Sequence, residues 1–117
     1  MMARSSVTPY LADMVEAIER IHDKAGNTPL EEFKLDWEKQ WIVERGIEIV
    51  SEASRRLPDD LKARHPDIPW QKVAAIGNVL RHEYRLISAP LMWEVVRDYL
   101  PPLEKACRAE LARLASK

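Results

Sequence analysis

The fold is dictated by the stretch DWEKQWIVERGIEIVSEASRRL, residues 36–57. Asp36 predicts an N-cap, and the residues after it predict one helix from Trp37 to about Leu57. Its apolar positions recur at helical spacing and form one wide face, made of Trp41, Ile42, Ile47, Ile49, Val50, Ala53 and Ser54. A helix with so wide an apolar face must be covered on more than one side. We therefore expect this helix at the centre of a helical bundle.

Two shorter patterns precede the central helix. A first helix is expected over residues 9–24, with Thr8 as its N-cap and a proline at its first position. Its apolar stripe has spacings of 3, 4 and 3 and consists of Leu11, Met14, Ile18 and Ile21. The segment TPLE then matches a capping box, in which Thr28 caps a brief turn through Phe33 and Glu31 reaches back. Both patterns indicate helix rather than strand.

The second half of the chain has the same character. Residues 58–69 are rich in proline and polar residues and predict a connector with one helical turn over residues 59–63. A further helix is expected from residue 69 to residue 82 or 84. A last helix is expected over residues 91–115, with a kink or break at the Pro-Pro pair that begins at Pro101, because proline cannot donate the helical hydrogen bond.

The pattern as a whole excludes a β fold. No segment alternates apolar and polar residues between turns, and the chain has no repeat and no low-complexity tract. A length of 117 residues is enough for one core without disulfides or metals. The prediction is an all-α, up-and-down bundle of four or five helices that forms a single domain over residues 1–117.

Cysteine usage and the N-terminal segment bear on the compartment. Cys107 is the single cysteine, so no disulfide can form within the chain, and we expect it to face inward on its helix. The N-terminal MMARSSVTPY lacks the apolar core of a signal peptide, and no run approaches the ~18 apolar residues of a membrane helix. We expect a cytoplasmic protein with no membrane segment.

Neither a metal site nor a cofactor is expected. One Cys and three scattered His offer no zinc-ligand spacing. Glu44, Glu48 and Glu52 form a row of carboxylates, but a di-metal bundle also needs a Glu-x-x-His motif from each of two helices, and the chain holds a single one, Glu19 to His22. We interpret the row as an acidic surface. The four tryptophans, Trp37, Trp41, Trp70 and Trp93, are interpreted as core or interface anchors rather than as a platform for stacking bases.

Charge is distributed unevenly along a chain whose net charge is −1. Residues 54–85 carry seven Lys or Arg and four Asp or Glu, whereas residues 1–53 carry six and eleven. An anionic partner is therefore expected to meet the middle third of the chain. Its basic residues are Arg55, Arg56, Lys62, Arg64, Lys72, Arg81 and Arg85. The alternative is a solvated surface of mixed charge.

The segment AAIGNVLRHEY, residues 74–84, places four polar groups on one helical face. Asn78, Arg81, His82 and Arg85 follow the spacing i, i+3, i+4, i+7, and Val73, Ile76, Gly77 and Leu80 fall on the other side. An Arg fork binds phosphate oxygens and stabilises a pentacoordinate transition state. A His can move a proton near neutral pH. The face therefore suits phosphate chemistry, although from spacing alone such a face is more often a solvated surface than a site.

One helix by itself does not complete such a site. A second general acid or base is missing and would have to come from another element or a second subunit. Tyr84 falls about 200° from His82 on an ideal helix, among the core positions, so its spacing indicates a packing residue.

The segments IEIVSEASRRLP, HPDIPWQKVAAIGNVLRHEY and MWEVVRDYLPPLEKA together resemble the HepT-like branch of the HEPN superfamily, small helical ribonuclease toxins. The densest part, GNVLRHEY, resembles the family's Arg-polar-x-x-x-His-x-Tyr signature. By this resemblance His82 matches the catalytic histidine, Asn78 the polar position and Tyr84 the terminal tyrosine. Gly77 stands at the position of the family arginine, and Arg81 lies beside the histidine instead.

The resemblance implies a homodimer whose two motifs face each other across a basic cleft and cut RNA without a metal ion. A ribose 2′-hydroxyl attacks the adjacent phosphate, with His82 as general acid/base, Arg81 stabilising phosphate and Asn78 orienting. RNA binding is expected at Arg55, Arg56, Lys72 and Arg85. It also implies a minimal nucleotidyltransferase antitoxin that adenylylates Tyr84. The alternatives are a non-catalytic homodimer that binds that partner or nucleic acid, and a plain helical scaffold.

Overall fold

A computed structural model describes residues 4–82 and 88–116 and contains only helices and their connections in those ranges. The helices, in chain order, are α1 (Arg4–Ala25), α2 (Leu30–Phe33), α3 (Trp37–Ser54), α4 (Asp59–Ala63), α5 (Trp70–His82), α6 (Ala89–Glu94) and α7 (Leu100–Ala115). A π-helical segment, Val95–Tyr99, joins α6 to α7. Helix α3 packs against α1 on one side and α5 on the other, and α1 also packs against α7. The predicted all-α bundle and the central place of α3 are confirmed.

The start of α3 and its buried face follow from the sequence. Asp36 caps the helix, since its carboxylate accepts a hydrogen bond from the Lys39 backbone N–H at 3.0 Å. Val43, Ile47 and Val50 are buried against the neighbouring helices. Trp41 is 65% exposed, so its assignment to the core face was wrong. On a helix with 100° per residue Trp41 lies about 120° from Ile47, which places it outside the buried stripe.

Helix α1 begins earlier than its proline suggested. Its predicted stripe, Leu11, Met14, Ile18 and Ile21, is buried. The helix starts at Arg4, however, and Pro9 lies inside it, so Thr8 is not its N-cap. Val7 is buried in the core, and this burial favours the extra turn over a start at Pro9. Pro9 costs the helix one hydrogen bond, near an end where several N–H groups already have no helical partner.

Thr28 does not cap α2. The N-cap position is held by Pro29, which makes no side-chain capping bond. Thr28 is buried, and its hydroxyl accepts a hydrogen bond from Lys39 Nζ at 2.9 Å, while its carbonyl accepts one from Trp93 Nε1 at 2.8 Å. The predicted capping box was wrong because Thr28 ties α3 and α6 to the end of α1 instead.

The C-terminal helix changes its hydrogen-bond register at the predicted place. Ser88 caps α6 by accepting from the Leu91 N–H at 3.2 Å. The Leu100 N–H donates to the Val95 carbonyl, five residues back, and Pro101 and Pro102 follow in the first turn of α7. Because the two prolines donate no N–H, the wider π turn takes the place of the predicted break. Helix α7 then starts with its prolines where N–H groups are not needed.

A buried charged cluster fastens the connector after α4 to α7. Glu110 is only 4% exposed, and its carboxylate accepts hydrogen bonds from Arg64 at 2.7 and 3.2 Å. His65 Nε2 lies 2.7 Å from the same carboxylate. The Arg64 guanidinium lowers the pKa of the Glu110 carboxyl and outweighs its burial, with a further contribution from His65. We name these three residues the Glu110 cluster. Arg64 therefore does not belong to a free basic surface.

Two further features concern the core and the surface. Cys107 is buried, as predicted, and burial, aided by Glu104 and Glu110, raises the pKa of its thiol to about 12. Over the ranges that the structure describes, none of the helices combines the length and the apolar character needed to span a bilayer.

Candidate active site

Helix α5 is divided into a packed side and an exposed side, as its sequence predicts. Gly77 and Leu80 are buried against the rest of the bundle. Asn78, Arg81 and His82 are all exposed and lie at the C-terminal end of the helix. The structure therefore brings the three predicted chemical groups together on one accessible face. Tyr84 and Arg85 lie outside the described residues.

Asn78 and Arg81 are joined directly. Arg81 Nη2 donates a hydrogen bond to Asn78 Oδ1 at 3.0 Å, one turn away along α5. Since the amide oxygen accepts from only one of the five guanidinium N–H groups, Arg81 keeps donors for an incoming phosphate. Asn78 thus orients Arg81 in this state, whereas the sequence suggested that it would orient the imidazole or a phosphate oxygen.

A shallow cavity of about 360 Å³ lies beside Arg81, between α1, α3 and α5. Its polar lining comes from Tyr10, Asp13, Arg45, Glu48, Glu52, Arg56 and Arg81. Arg56 forms an exposed ion pair with Glu52 at 3.6 Å, which is a weak contact that a ligand can displace. Arg56 and Arg81 are therefore both available at one site, although the acidic residues keep the cavity from being uniformly basic.

The other predicted RNA-binding residues are placed differently. Lys72 is exposed, but it lies about 180° from Arg81 on the α5 wheel and faces a second cavity, on the side of Val73, Ile76 and Tyr99. Arg55 points at α5 itself: its Nη2 and Nε donate to the Ala74 carbonyl at 2.7 and 3.2 Å. Among the described residues, Arg56 therefore lines the same cavity as Arg81, whereas Lys72 lines another.

Ser51 is a residue of the site region that sequence reasoning missed. It is buried on α3, donates to the Ala74 carbonyl at 2.9 Å and accepts from the Gly77 N–H at 3.1 Å. A Cβ on Gly77 would lie 2.5 Å from Ser51 Oγ and 2.8 Å from Ser51 Cβ. Position 77 is thus closed to any side chain while Ser51 is present. Two features of the sequence could have indicated this contact: a serine among the apolar residues of α3 and a glycine within α5.

An exposed aromatic surface lies at the N-terminal end of α3. Trp37 and Trp41 are 59% and 65% exposed, and their rings meet edge to face with centroids 5.0 Å apart. Ile42, which is also exposed, lines a groove together with Trp41, and we name Trp37, Trp41 and Ile42 the Trp surface. A groove of about 730 Å³ runs from Trp41 along α1 and α3. It shares Arg45 with the cavity beside Arg81, so the two are adjacent.

The described part of the site holds no cluster of side chains arranged as a metal site. Within residues 4–82 and 88–116, no three His, Cys, Asp or Glu side chains are grouped so that they could hold a metal ion. The chemistry that these residues offer is that of a guanidinium, an imidazole and an amide on one helix face.

Comparison with known proteins gives a consistent result. The family model described as "HepT-like: Ribonuclease HepT-like" matches residues 14–110. A Thermococcus cleftensis protein named "Probable ribonuclease HepT" is 37% identical over 95 residues, which cover 81% of this chain and 86% of that protein. Two Methanocaldococcus jannaschii proteins, each named "Putative RNase", are 28% and 30% identical. They align over 89% and 86% of this chain and over 95% and 83% of their own lengths. No solved structure matches the chain.

Proposed function

Because this chain belongs to the HepT-like ribonuclease family, we propose that it is an endoribonuclease that cuts RNA without a metal ion. The observation that carries the proposal is the exposed face of α5, where Asn78, Arg81 and His82 stand together beside a cavity that Arg56 also lines. These side chains supply a proton acceptor, a phosphate-binding fork and a residue that orients the fork.

The reaction we propose is an internal transfer within RNA. His82 accepts the proton of a ribose 2′-hydroxyl, and the oxygen attacks the adjacent phosphorus. The bond from phosphorus to the 5′-oxygen breaks, which gives a 2′,3′-cyclic phosphate and a 5′-hydroxyl. General-base catalysis by a positioned His contributes about 10²–10⁴ in rate. The Arg81 guanidinium stabilises the extra negative charge on the phosphorane.

A homodimer is the assembly in which this site is complete. The 5′-oxygen must be protonated as it leaves, and a second copy of α5 offers a second imidazole for this step. The Trp surface and its groove support the dimer, because exposed tryptophans, one of which lines a largely apolar groove, are typical of a protein interface. The groove adjoins the cavity beside Arg81, so a second copy seated there lies next to the site.

Regulation by a partner belongs to the same proposal. We place this chain in a toxin–antitoxin pair, with a minimal nucleotidyltransferase that adenylylates Tyr84. The support is the match of GNVLRHEY to the family signature. Co-expression with the nucleotidyltransferase should add one adenylyl mass to the peptide that contains Tyr84, and Tyr84→Phe should abolish the addition.

The test of the activity uses purified protein and RNA in EDTA. Wild type should release products with cyclic phosphate ends, and His82→Ala should lose this cleavage. His22→Ala is the matched control, because His22 is an exposed histidine on α1, away from α5. Equal cutting by wild type and His82→Ala would mean that the assigned residue does not perform the reaction.

The second candidate function is a non-catalytic dimer that binds RNA or the nucleotidyltransferase. It is favoured by Gly77, which stands at the position of the family arginine and which Ser51 closes to a side chain. RNA binding that survives His82→Ala and Arg81→Ala, with no cleavage of any RNA by the wild type, would support this candidate.

A further inference from the structure

The backbone of α5 is held from α3 at two adjacent groups. The Ala74 carbonyl accepts hydrogen bonds from Ser51 Oγ at 2.9 Å and from the Arg55 guanidinium at 2.7 and 3.2 Å. The Gly77 N–H donates to the same Ser51 hydroxyl at 3.1 Å. Side chains of one helix thus bind the peptide groups of another, which is unusual because helical carbonyls already accept a bond from the N–H four residues on.

The place of these contacts along α5 is significant. In an α-helix the Ala74 carbonyl is the acceptor for the Asn78 N–H, and Gly77 directly precedes Asn78. The contacts therefore hold the turn from which Asn78, Arg81 and His82 project. No large α3 side chain separates the helices here, since the Ser51 hydroxyl lies within 2.5 Å of where a Cβ on Gly77 would be.

We propose that Ser51 and Arg55 are positioning residues for the α5 site. They fix the height and rotation of α5 on α3, so that Arg81 and His82 reach the phosphate and the 2′-hydroxyl together. This inference rests on the proposed ribonuclease function. Arg55 and Arg56 then have different roles. Arg55 donates hydrogen bonds to a backbone carbonyl, whereas Arg56 lines the cavity where RNA would bind.

The expected size of the effect follows from geometry. A displacement of about 1 Å between catalytic groups and substrate can cost on the order of 10²-fold in rate. We name the contacts of Ser51 and Arg55 with the α5 backbone the clamp, and its loss moves α5 without removing any group that touches RNA. The turnover number should therefore fall while the affinity for RNA stays the same, and a phosphate contact would show the opposite pattern.

The decisive experiment compares four variants, at three arginines, in single-turnover cleavage and RNA binding. Arg55→Met keeps a long side chain but no donors, and we expect a fall in the cleavage rate of about tenfold with an unchanged Kd. Arg55→Lys should recover most of the rate, since an ammonium can donate to the same carbonyl. Arg56→Met should weaken RNA binding. Arg108→Met, at an exposed arginine of α7, is the neutral control.

A second measurement reads the clamp without any RNA. Hydrogen exchange of the amides of residues 77–82 should become faster in Arg55→Met and Ser51→Ala, while those of α1 should not change. If the wild type cuts no RNA but the two variants show this faster exchange, the proposed function is contradicted and the contacts of Ser51 and Arg55 with α5 are still supported. Unchanged exchange in α5, or a raised Kd with an unchanged rate in Arg55→Met, would overturn the positioning role.

Discussion

Two Arg-His pairs occur in this chain, Arg64-His65 and Arg81-His82, and the fold gives them opposite surroundings. Arg64 and His65 both bind the carboxylate of Glu110, which α7 brings to them from 45 residues away. Arg81 and His82 are exposed at the end of α5, and Arg81 contacts a neutral amide. The comparison shows that the dipeptide alone does not carry the chemistry. A guanidinium paired with a buried carboxylate stabilises the fold, and one beside an amide remains able to bind phosphate.

The largest effect should come from breaking the ion pair between Arg64 and Glu110. Arg64→Ala leaves a buried carboxylate without its main partner, and removal of one member of a buried pair costs about 3 kcal/mol. Urea denaturation measures the loss. Arg108→Ala breaks only exposed ion pairs with Glu19 and Glu104 and should cost less than about 1 kcal/mol. Similar losses in the two variants would contradict the structural role of the Glu110 cluster.

Removing the second pair's arginine should affect activity and not stability. Arg81→Ala deletes a donor to the transition state, and comparable deletions lower the turnover number by about 10²–10³. Its free energy of unfolding should stay within about 0.5 kcal/mol of wild type, because Arg81 is exposed. Cleavage assays with denaturation of the same sample measure both. A folded variant that cuts RNA at the wild-type rate would show that Arg81 does not replace the family arginine.

The two pairs can also be made more alike. Asn78→Asp places a carboxylate 3.0 Å from Arg81, in imitation of Glu110, and the new charge competes with the substrate phosphate. We expect cleavage to fall about tenfold, which corresponds to ~1.4 kcal/mol. Stability should rise by less than about 1 kcal/mol, because the pair is exposed. Asn78→Ala is the control that separates lost orientation from added charge, and it should be affected less than Asn78→Asp.

Acid should remove the stabilisation that the Glu110 cluster provides, and the lowered pKa of Glu110 sets the pH range in which this happens. Arg64 and His65 hold this pKa below the ordinary value of 4.5, so the unfolded chain binds the proton more readily. The stabilisation is therefore complete above pH 4.5 and is lost as the pH falls through the lowered pKa. The difference in unfolding free energy between wild type and Glu110→Gln should narrow from pH 6 towards pH 3. A constant difference over that range would contradict the assignment.

The sequence predicted much of the fold because many of its patterns are local. Asp36 as a cap, the α1 stripe and the disturbed helix at Pro101 depend on residues within a few positions of one another. Thr8 and Thr28 show where this reasoning failed. Each matched a capping pattern, but burial of Val7 extended α1 past the first, and a hydrogen bond to Lys39 engaged the second.

The candidate site was predicted from periodicity and the family signature, but its supports were not. The spacing of Asn78, Arg81 and His82 places them on one exposed face whatever the rest of the chain does. Ser51 was not singled out on the sequence, and Arg55 was predicted to bind RNA rather than to contact α5. Their contacts with α5 depend on how closely two helices approach, which no pattern along one helix contains.

Helix positions and the amphipathic division of α5 are thus encoded in short stretches, since helix geometry relates neighbours three and four residues apart. Packing alone settled which Arg-His pair is bound to Glu110, that Ser51 closes position 77, and that Trp37 and Trp41 are exposed. The physical reason is that these features join residues far apart in the chain. Their distances and burial exist only once the helices have assembled, when a carboxylate on α7 or a hydroxyl on α3 meets its partner.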